Sequence, residues 1–122
     1  MRVVDSSGWI EYLTDGPHAA FFAPAIERPS TLIIPALSLF EVFRWSLRNS
    51  SENAALEAVA LMQQSRVVEL SAPLSLSAAS LSHKHKLPMA DSIIYATAQA
   101  FDAELWTQDA DFAGLPKVRM PI

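Results

Sequence analysis

Short β-branched runs recur along this chain, and each gives way to a segment with helical patterning. The candidate strands are Arg2–Asp5, Thr31–Ile34, Val67–Leu70, Glu104–Thr107 and Lys117–Met120. The candidate helices are Gly8–Leu13, His18–Glu27, Ala36–Arg48, Glu52–Gln64, Pro73–His85 and Ala90–Phe101, with one helical turn at Asp109–Phe112. Asp15-Gly16-Pro17, Pro29, Pro35, Asn49-Ser50-Ser51 and Leu87-Pro88 separate them, as turn-forming and helix-breaking residues should. Ser6 or Ser7 is expected to cap the first helix. Strands that alternate with helices close most readily as a parallel sheet covered on both faces. The runs are apolar with little alternation, which is what two-sided burial demands. The predicted fold class is α/β: a three-layer α/β/α sandwich with a short, mainly parallel central sheet, in a single domain spanning residues 1–122.

Composition removes several classes of function. A chain of 122 residues that is 51% hydrophobic buries a core without covalent staples. The absence of Cys excludes a disulfide scaffold, a zinc finger and a thiol nucleophile. No uncharged apolar run approaches the roughly 18–20 residues of a membrane span. Asp5 stands where a secretory leader would need its apolar stretch. The expected location is the cytoplasm, with no membrane contact. Net charge is −4, which argues against a nucleic-acid binder that relies on a basic face alone. It leaves room for an enzyme that draws cations to an acidic site. With three Gly in all, there is no glycine-rich phosphate loop.

In open α/β sheets, ligands gather beyond the carboxyl ends of the strands. Asp5 ends the first candidate strand, and Asp109 and Asp111 follow the fourth. On the helix Ala36–Arg48, Glu41, Arg44 and Arg48 recur at i, i+3 and i+7 and so share one face of an otherwise apolar helix. That stripe is either a solvent face with a weak ion pair or the wall of a site. Asp91 falls in the first turn of an apolar helix. There it gains about 0.3–1 kcal/mol from the helix dipole, or it is aimed at a partner. Ser6 and Ser7 lack a placed His to activate them. His83-Lys84-His85-Lys86 reads as cations on a helix C-terminus. Trp9, Trp45 and Trp106 are candidates for the core or an interface. If Asp5, Glu41, Asp91 and Asp109 converge, with Asp111 in reserve, they must bind protons or cations. Oxygen-only donors select hard ions such as Mg²⁺ or Mn²⁺. Such a centre suits phosphoryl chemistry, with Arg44 and Arg48 to hold phosphates.

Four segments in order resemble the PIN domain family, and within it the VapC-type toxin ribonucleases. They are Val3-Val4-Asp5-Ser6-Ser7-Gly8-Trp9, Glu41 in its apolar helix, Leu87-Pro88-Met89-Ala90-Asp91-Ser92-Ile93-Ile94, and Thr107-Gln108-Asp109-Ala110-Asp111-Phe112. The resemblance implies a Mg²⁺- or Mn²⁺-dependent endoribonuclease that cleaves RNA with water. It implies Asp5, Glu41, Asp91 and Asp109 as the acidic quartet that holds the metal, Ser7 assisting by hydrogen bonds, and Asp111 serving the turn. It also implies a homodimer and a VapB-like antitoxin. The RNA contact would fall on a rim of Arg44, Arg48, Lys84 and Lys86.

Rival readings fare worse. A haloacid dehalogenase-like phosphatase needs an Asp two residues after its nucleophile, and that position is Ser7. A receiver domain needs an acidic pair before its first helix and a later Lys after a strand, and neither is present. A non-catalytic PIN module acting in a protein complex has no chemical reason to keep mutually repelling carboxylates.

Overall fold

The computed structural model describes residues 1–122. Five short strands form: β1 (Arg2–Val4), β2 (Ile33–Pro35), β3 (Arg66–Val68), β4 (Glu104–Trp106) and β5 (Val118–Arg119). Six helices join them: α1 (Ser6–Leu13), α2 (Ala19–Ile26), α3 (Ala36–Asn49), α4 (Glu52–Met62), α5 (Ala72–His85) and α6 (Met89–Ala100). Two single 3₁₀ turns cover Pro29–Thr31 and Ala110–Phe112.

Every strand pairing is parallel. β1 pairs with β4 and β4 with β5, while β2 pairs with β3. A parallel bridge from Arg2 to Leu32 joins the two groups, so the order across the molecule is β3-β2-β1-β4-β5. The chain therefore builds outward from β1 in both directions, and the reversal places β1 beside β4. A crevice opens at the carboxyl ends of the strands at such a reversal.

Adjacent residues on a strand point to opposite faces. Val4, Leu32, Ile34 and Trp106 pack with Trp9, Phe22, Ile26, Val42 and Met62 from α1 to α4. Val3, Ile33 and Leu105 pack with Leu87, Ile94, Tyr95, Ala98 and Phe112 on the side of α6. Two separate apolar clusters, one between the sheet and the helices on each face, are the interfaces of a three-layer α/β/α arrangement. Full burial of one large apolar side chain such as Trp9 or Phe22 contributes about 1.5–3 kcal/mol.

Several local readings differ from the sequence expectation. The third strand is Arg66–Val68 and not Val67–Leu70, because its pairing with Ile33–Pro35 ends at Val68. The cap of α1 is Asp5, not Ser6 or Ser7: Asp5 Oδ1 accepts the Gly8 N–H at 3.0 Å. Thr31 belongs to a 3₁₀ turn, so the second strand begins at Ile33 and not at Thr31. In α3 only Ser38, Val42 and Ser46 are buried, because α1 and α4 cover one side of it. Phe40 and Leu47 are left 56% and 46% exposed. The cation-rich end of α5 is as expected, and Lys86 closes it in the left-handed region at φ 58°. No helix is long and apolar enough to cross a membrane.

Candidate metal centre

Chain direction brings the acids to one end of the sheet. β1 stops at Val4, so Asp5 is the first residue past its carboxyl end. β4 stops at Trp106, which places Thr107 and Asp109 just past the neighbouring end. α6 feeds directly into β4 and runs back along it, so its first turn, with Asp91, lies over the same edge.

Asp91, Asp109 and Asp111 form the tightest group. Each offers a carboxylate oxygen, and the three oxygens lie within 4.8 Å of one another. Asp91 and Asp109 are half-buried, and Asp111 is exposed. The Ala110–Phe112 turn supplies the geometry. Asp109 Oδ1 accepts the Asp111 N–H at 2.9 Å, which orients the Asp109 carboxyl group and holds the backbone of Asp111 on the same tight bend.

Asp5 lies deeper, with 3% of its surface exposed. Three donors surround it. The Ser7 hydroxyl lies 3.0 and 2.9 Å from its two oxygens, the Gly8 N–H donates to Oδ1, and Thr107 Oγ1 donates to Oδ2 at 2.9 Å. Thr107 Oγ1 in turn accepts the Asp109 N–H at 2.9 Å. This buried hydroxyl thus joins the two strand ends. In the sequence Thr107 stands out only as part of a motif; its position immediately after a buried strand is the signal that points to it.

The electrostatics follow from burial and like charge. The Asp5 carboxyl is raised to about 6: burial is the main cause, the Asp109 charge adds to it, and the three donors hold it lower than burial alone would. Asp91 is raised further, to about 7, by burial first and then by the charges of Asp109, Asp111 and Asp5. A hydrogen bond with the Asp111 carboxyl adds to the rise. A helix N-terminus lowers a carboxyl pKa, so the shift at Asp91 shows repulsion and burial outweighing the dipole. Asp91 is a strained member of a cluster, not a passive helix-end acid.

Glu41 sits apart from that trio. Its Oε1 accepts the Ser6 hydroxyl at 2.7 Å, so α1 and α3 are bridged one residue beyond Asp5. Glu41, Arg44 and Arg48 line a groove of about 290 Å³ with Ser6, Ser7, Ile10, Trp45 and Asn49. The two arginines are exposed. The sequence expectation grouped Glu41 with Asp5, Asp91 and Asp109. In the structure Asp111 joins Asp91 and Asp109, while Glu41 stands on the groove side. The short reach of the Asp109–Asp111 turn explains the first, and capture by Ser6 explains the second.

All the donors are oxygens and no Cys exists, a set suited to hard divalent cations. The group formed by Asp91, Asp109 and Asp111 is able to hold such an ion, whose positive charge would relieve the repulsion that raises Asp91.

The chain matches the model of the PIN domain family over residues 2–118. No curated protein sequence matches it. Among solved structures it is similar to a toxin–antitoxin complex from Klebsiella pneumoniae, at 26% identity and a TM-score of 0.83, covering 100% of this chain and 98% of that one. It is similar in fold to Mycobacterium tuberculosis VapC20, described as a Sarcin-Ricin loop cleaving toxin. There the identity is 20% and the TM-score 0.78, with 97% of each chain covered. It is also similar to VapBC2 from Rickettsia felis, solved bound to a DNA fragment from its promoter, at 13% identity and a TM-score of 0.75. That match covers 98% of this chain and 96% of that one. With the family model spanning nearly every residue and the acids at the carboxyl ends of β1 and β4, the chain belongs to the PIN domain family.

Proposed function

We propose that this protein is a divalent-metal-dependent endoribonuclease, the toxin of a type II toxin–antitoxin pair. The observation that carries the reading is the meeting of Asp91, Asp109 and Asp111 within 4.8 Å beside buried Asp5. Asp5, Asp91 and Asp109 hold a Mg²⁺ or Mn²⁺ ion, with Asp111 as an added ligand. Glu41 completes the acidic set from the groove side. Such an ion supplies positive charge against phosphate oxygens and makes water acidic enough to attack at neutral pH.

The chain's own residues do the rest. Ser7 and Thr107 fix both oxygens of Asp5, so that carboxylate is oriented before any ligand arrives. Arg44 and Arg48 present cations on the rim of the Glu41 groove, where they hold the RNA phosphates by charge-assisted hydrogen bonds. They offset locally the net charge of −4 that would otherwise repel RNA.

The structural relatives support the biological setting. One is a toxin–antitoxin complex and another is a VapBC2 assembly, which supports a VapB-like antitoxin as partner; a second copy of the chain in a homodimer is proposed from the family resemblance alone. A cytoplasmic location suits an enzyme that acts on RNA.

The test is direct. The purified chain, freed of any antitoxin, is incubated with structured RNA in Mg²⁺, in Mn²⁺ and in EDTA. Cleavage with either metal and none in EDTA is expected. Metal-independent cleavage, or none under any condition, would overturn the reading.

A further inference from the structure

Two neighbouring serines in the first turn of α1 hold two different acids. Ser7 is hydrogen-bonded to Asp5, the residue just before the helix. Ser6 donates to Glu41 Oε1 at 2.7 Å, and Glu41 lies 35 positions away on α3. Successive residues of a helix point about 100° apart, so one turn reaches two separate carboxylates. Ser6 is buried and Glu41 half-buried. Ser6 is not needed as the cap of α1, because Asp5 fills that role. Arg44 and Arg48 line the same groove as Glu41, yet the only ion pair in the molecule is Lys117 with Asp102. The Ser6 hydroxyl is therefore the one partner of the Glu41 carboxylate, and Glu41 Oε2 is free.

We propose that Ser6 is a positioning residue of the carboxylate centre: its hydroxyl holds Glu41 in place, with the second carboxylate oxygen left open for a divalent cation. The proposal rests on the metal-dependent reading of that centre and adds a residue that acts through Glu41. A glutamate carboxylate sits at the end of three rotatable bonds, and ordering such an arm costs conformational entropy. An arm ordered before the ligand arrives removes that cost from binding. Repulsion from the neighbouring carboxylates works against Glu41 staying near them, and a fixed donor opposes it. The kind of donor matters as well. A Lys or Arg at position 6 would bring a positive charge that competes with the cation. A hydroxyl donates one hydrogen bond and brings no charge of its own. Asp5 is held by the same means, since Ser7, the Gly8 N–H and Thr107 are all neutral donors. Ser6 extends that arrangement from the end of β1 to α3.

The experiment measures Mn²⁺ binding to the whole chain, without RNA, by calorimetry and by loss of the free-ion paramagnetic resonance signal. It compares the unaltered chain with Ser6→Ala, Glu41→Gln and the double variant. Ser6→Ala should weaken Mn²⁺ binding about tenfold, as loss of one hydrogen bond to a charged group does. The double variant should bind no more weakly than Glu41→Gln alone, because the hydroxyl acts only through that carboxylate. Ser6→Thr keeps the hydroxyl and should restore the affinity. Ser6→Gly repeats the comparison if Ser6→Ala does not melt cooperatively. Unchanged affinity in Ser6→Ala overturns the proposal. So do losses that add in the double variant, which mark a merely structural role. Tighter binding in Ser6→Ala overturns it as well, since the hydroxyl would then be withholding Glu41 from the ion. The positioning role and the nuclease fail separately. Mn²⁺ binding that depends on Ser6 in a chain that never cleaves RNA sustains the first and removes the second. Metal-dependent cleavage with equal Mn²⁺ affinity in Ser6→Ala does the reverse.

Discussion

Thr107 Oγ1 donates to Asp5 Oδ2 and accepts the Asp109 N–H, both at 2.9 Å. One buried hydroxyl thus sets the spacing between the two strand ends that carry the acids. Replacing it with the isosteric Val leaves the Asp109 N–H without its partner and takes from buried Asp5 Oδ2 one of its two donors, the Ser7 hydroxyl remaining. Thr107→Val should cost about 1–3 kcal/mol of stability, read as the shift in denaturant midpoint. It should also move Asp5 above its present value of about 6, because the largest of the interactions that lower it is gone. A carboxyl-carbon NMR titration reads that shift. Thr107→Ser should keep most of both properties; equal loss in Ser and Val would show that the methyl group mattered, not the hydroxyl.

Asp91→Asn removes the carboxylate most strained by its neighbours. Metal-dependent cleavage should fall to background. In EDTA the same variant should melt at or above the parent temperature, since the repulsion from Asp109, Asp111 and Asp5 is relieved. A large drop in melting temperature would mean that Asp91 is holding the fold together instead.

The raised acids make the metal-free protein less stable as pH rises. Asp5 and Asp91 titrate near 6 and 7 when folded, against 3.8 for an ordinary Asp. Between those limits the folded chain holds more protons than the unfolded one, so stability is greatest on the acid side and declines as pH climbs through the folded values. Melting in EDTA should occur at a higher temperature at about pH 5 than at about pH 8. Mg²⁺ should raise the melting temperature more at the higher pH, because ligand carboxylates must first lose their protons. A melting temperature that rises with pH in EDTA would contradict the assigned shifts.

Arg44→Ala should weaken RNA binding. It should also reduce the slope of log affinity against log salt by about 0.7 for each single-strand phosphate that the side chain neutralises. Titrations at several salt concentrations measure it. An unchanged slope would place the phosphate contact elsewhere.

Gly8 has almost no room for a side chain. A Cβ there would meet Phe22 Cε1 and Val4 Cγ1, both at 2.7 Å. Gly8→Ala should destabilise the fold by about 1–3 kcal/mol through overpacking, and should also disturb the Gly8 N–H that caps onto Asp5. A calorimetric scan tests the first effect.

Much of this architecture is legible in local chemistry. Val3-Val4 and Leu105-Trp106 announce strands buried on both faces, and that alone places Asp5 and Asp109 at strand ends. Asp91 becomes legible only once convergence is assumed, because a first-turn acid has an ordinary explanation. What local pattern does not supply is the depth of cover. The apolar run of α3 suggests burial all round, yet the neighbouring helices cover one side and leave Phe40 outside. Nor does sequence spacing tell which of two acids on a bend will turn toward a third. Asp111 reaches Asp91, while Glu41 is taken up by Ser6, a pairing across 35 positions that no periodicity encodes.

The neighbouring of β1 and β4 has a consequence for synthesis. Asp5 and the Thr107 hydroxyl that orients it are 102 positions apart. A ribosome must therefore release the chain through Thr107 and the turn after it before the carboxylates can meet. Until then the emerging polypeptide carries its acids singly, so the carboxylate centre is assembled only on a chain that has left the exit tunnel almost to its last strand.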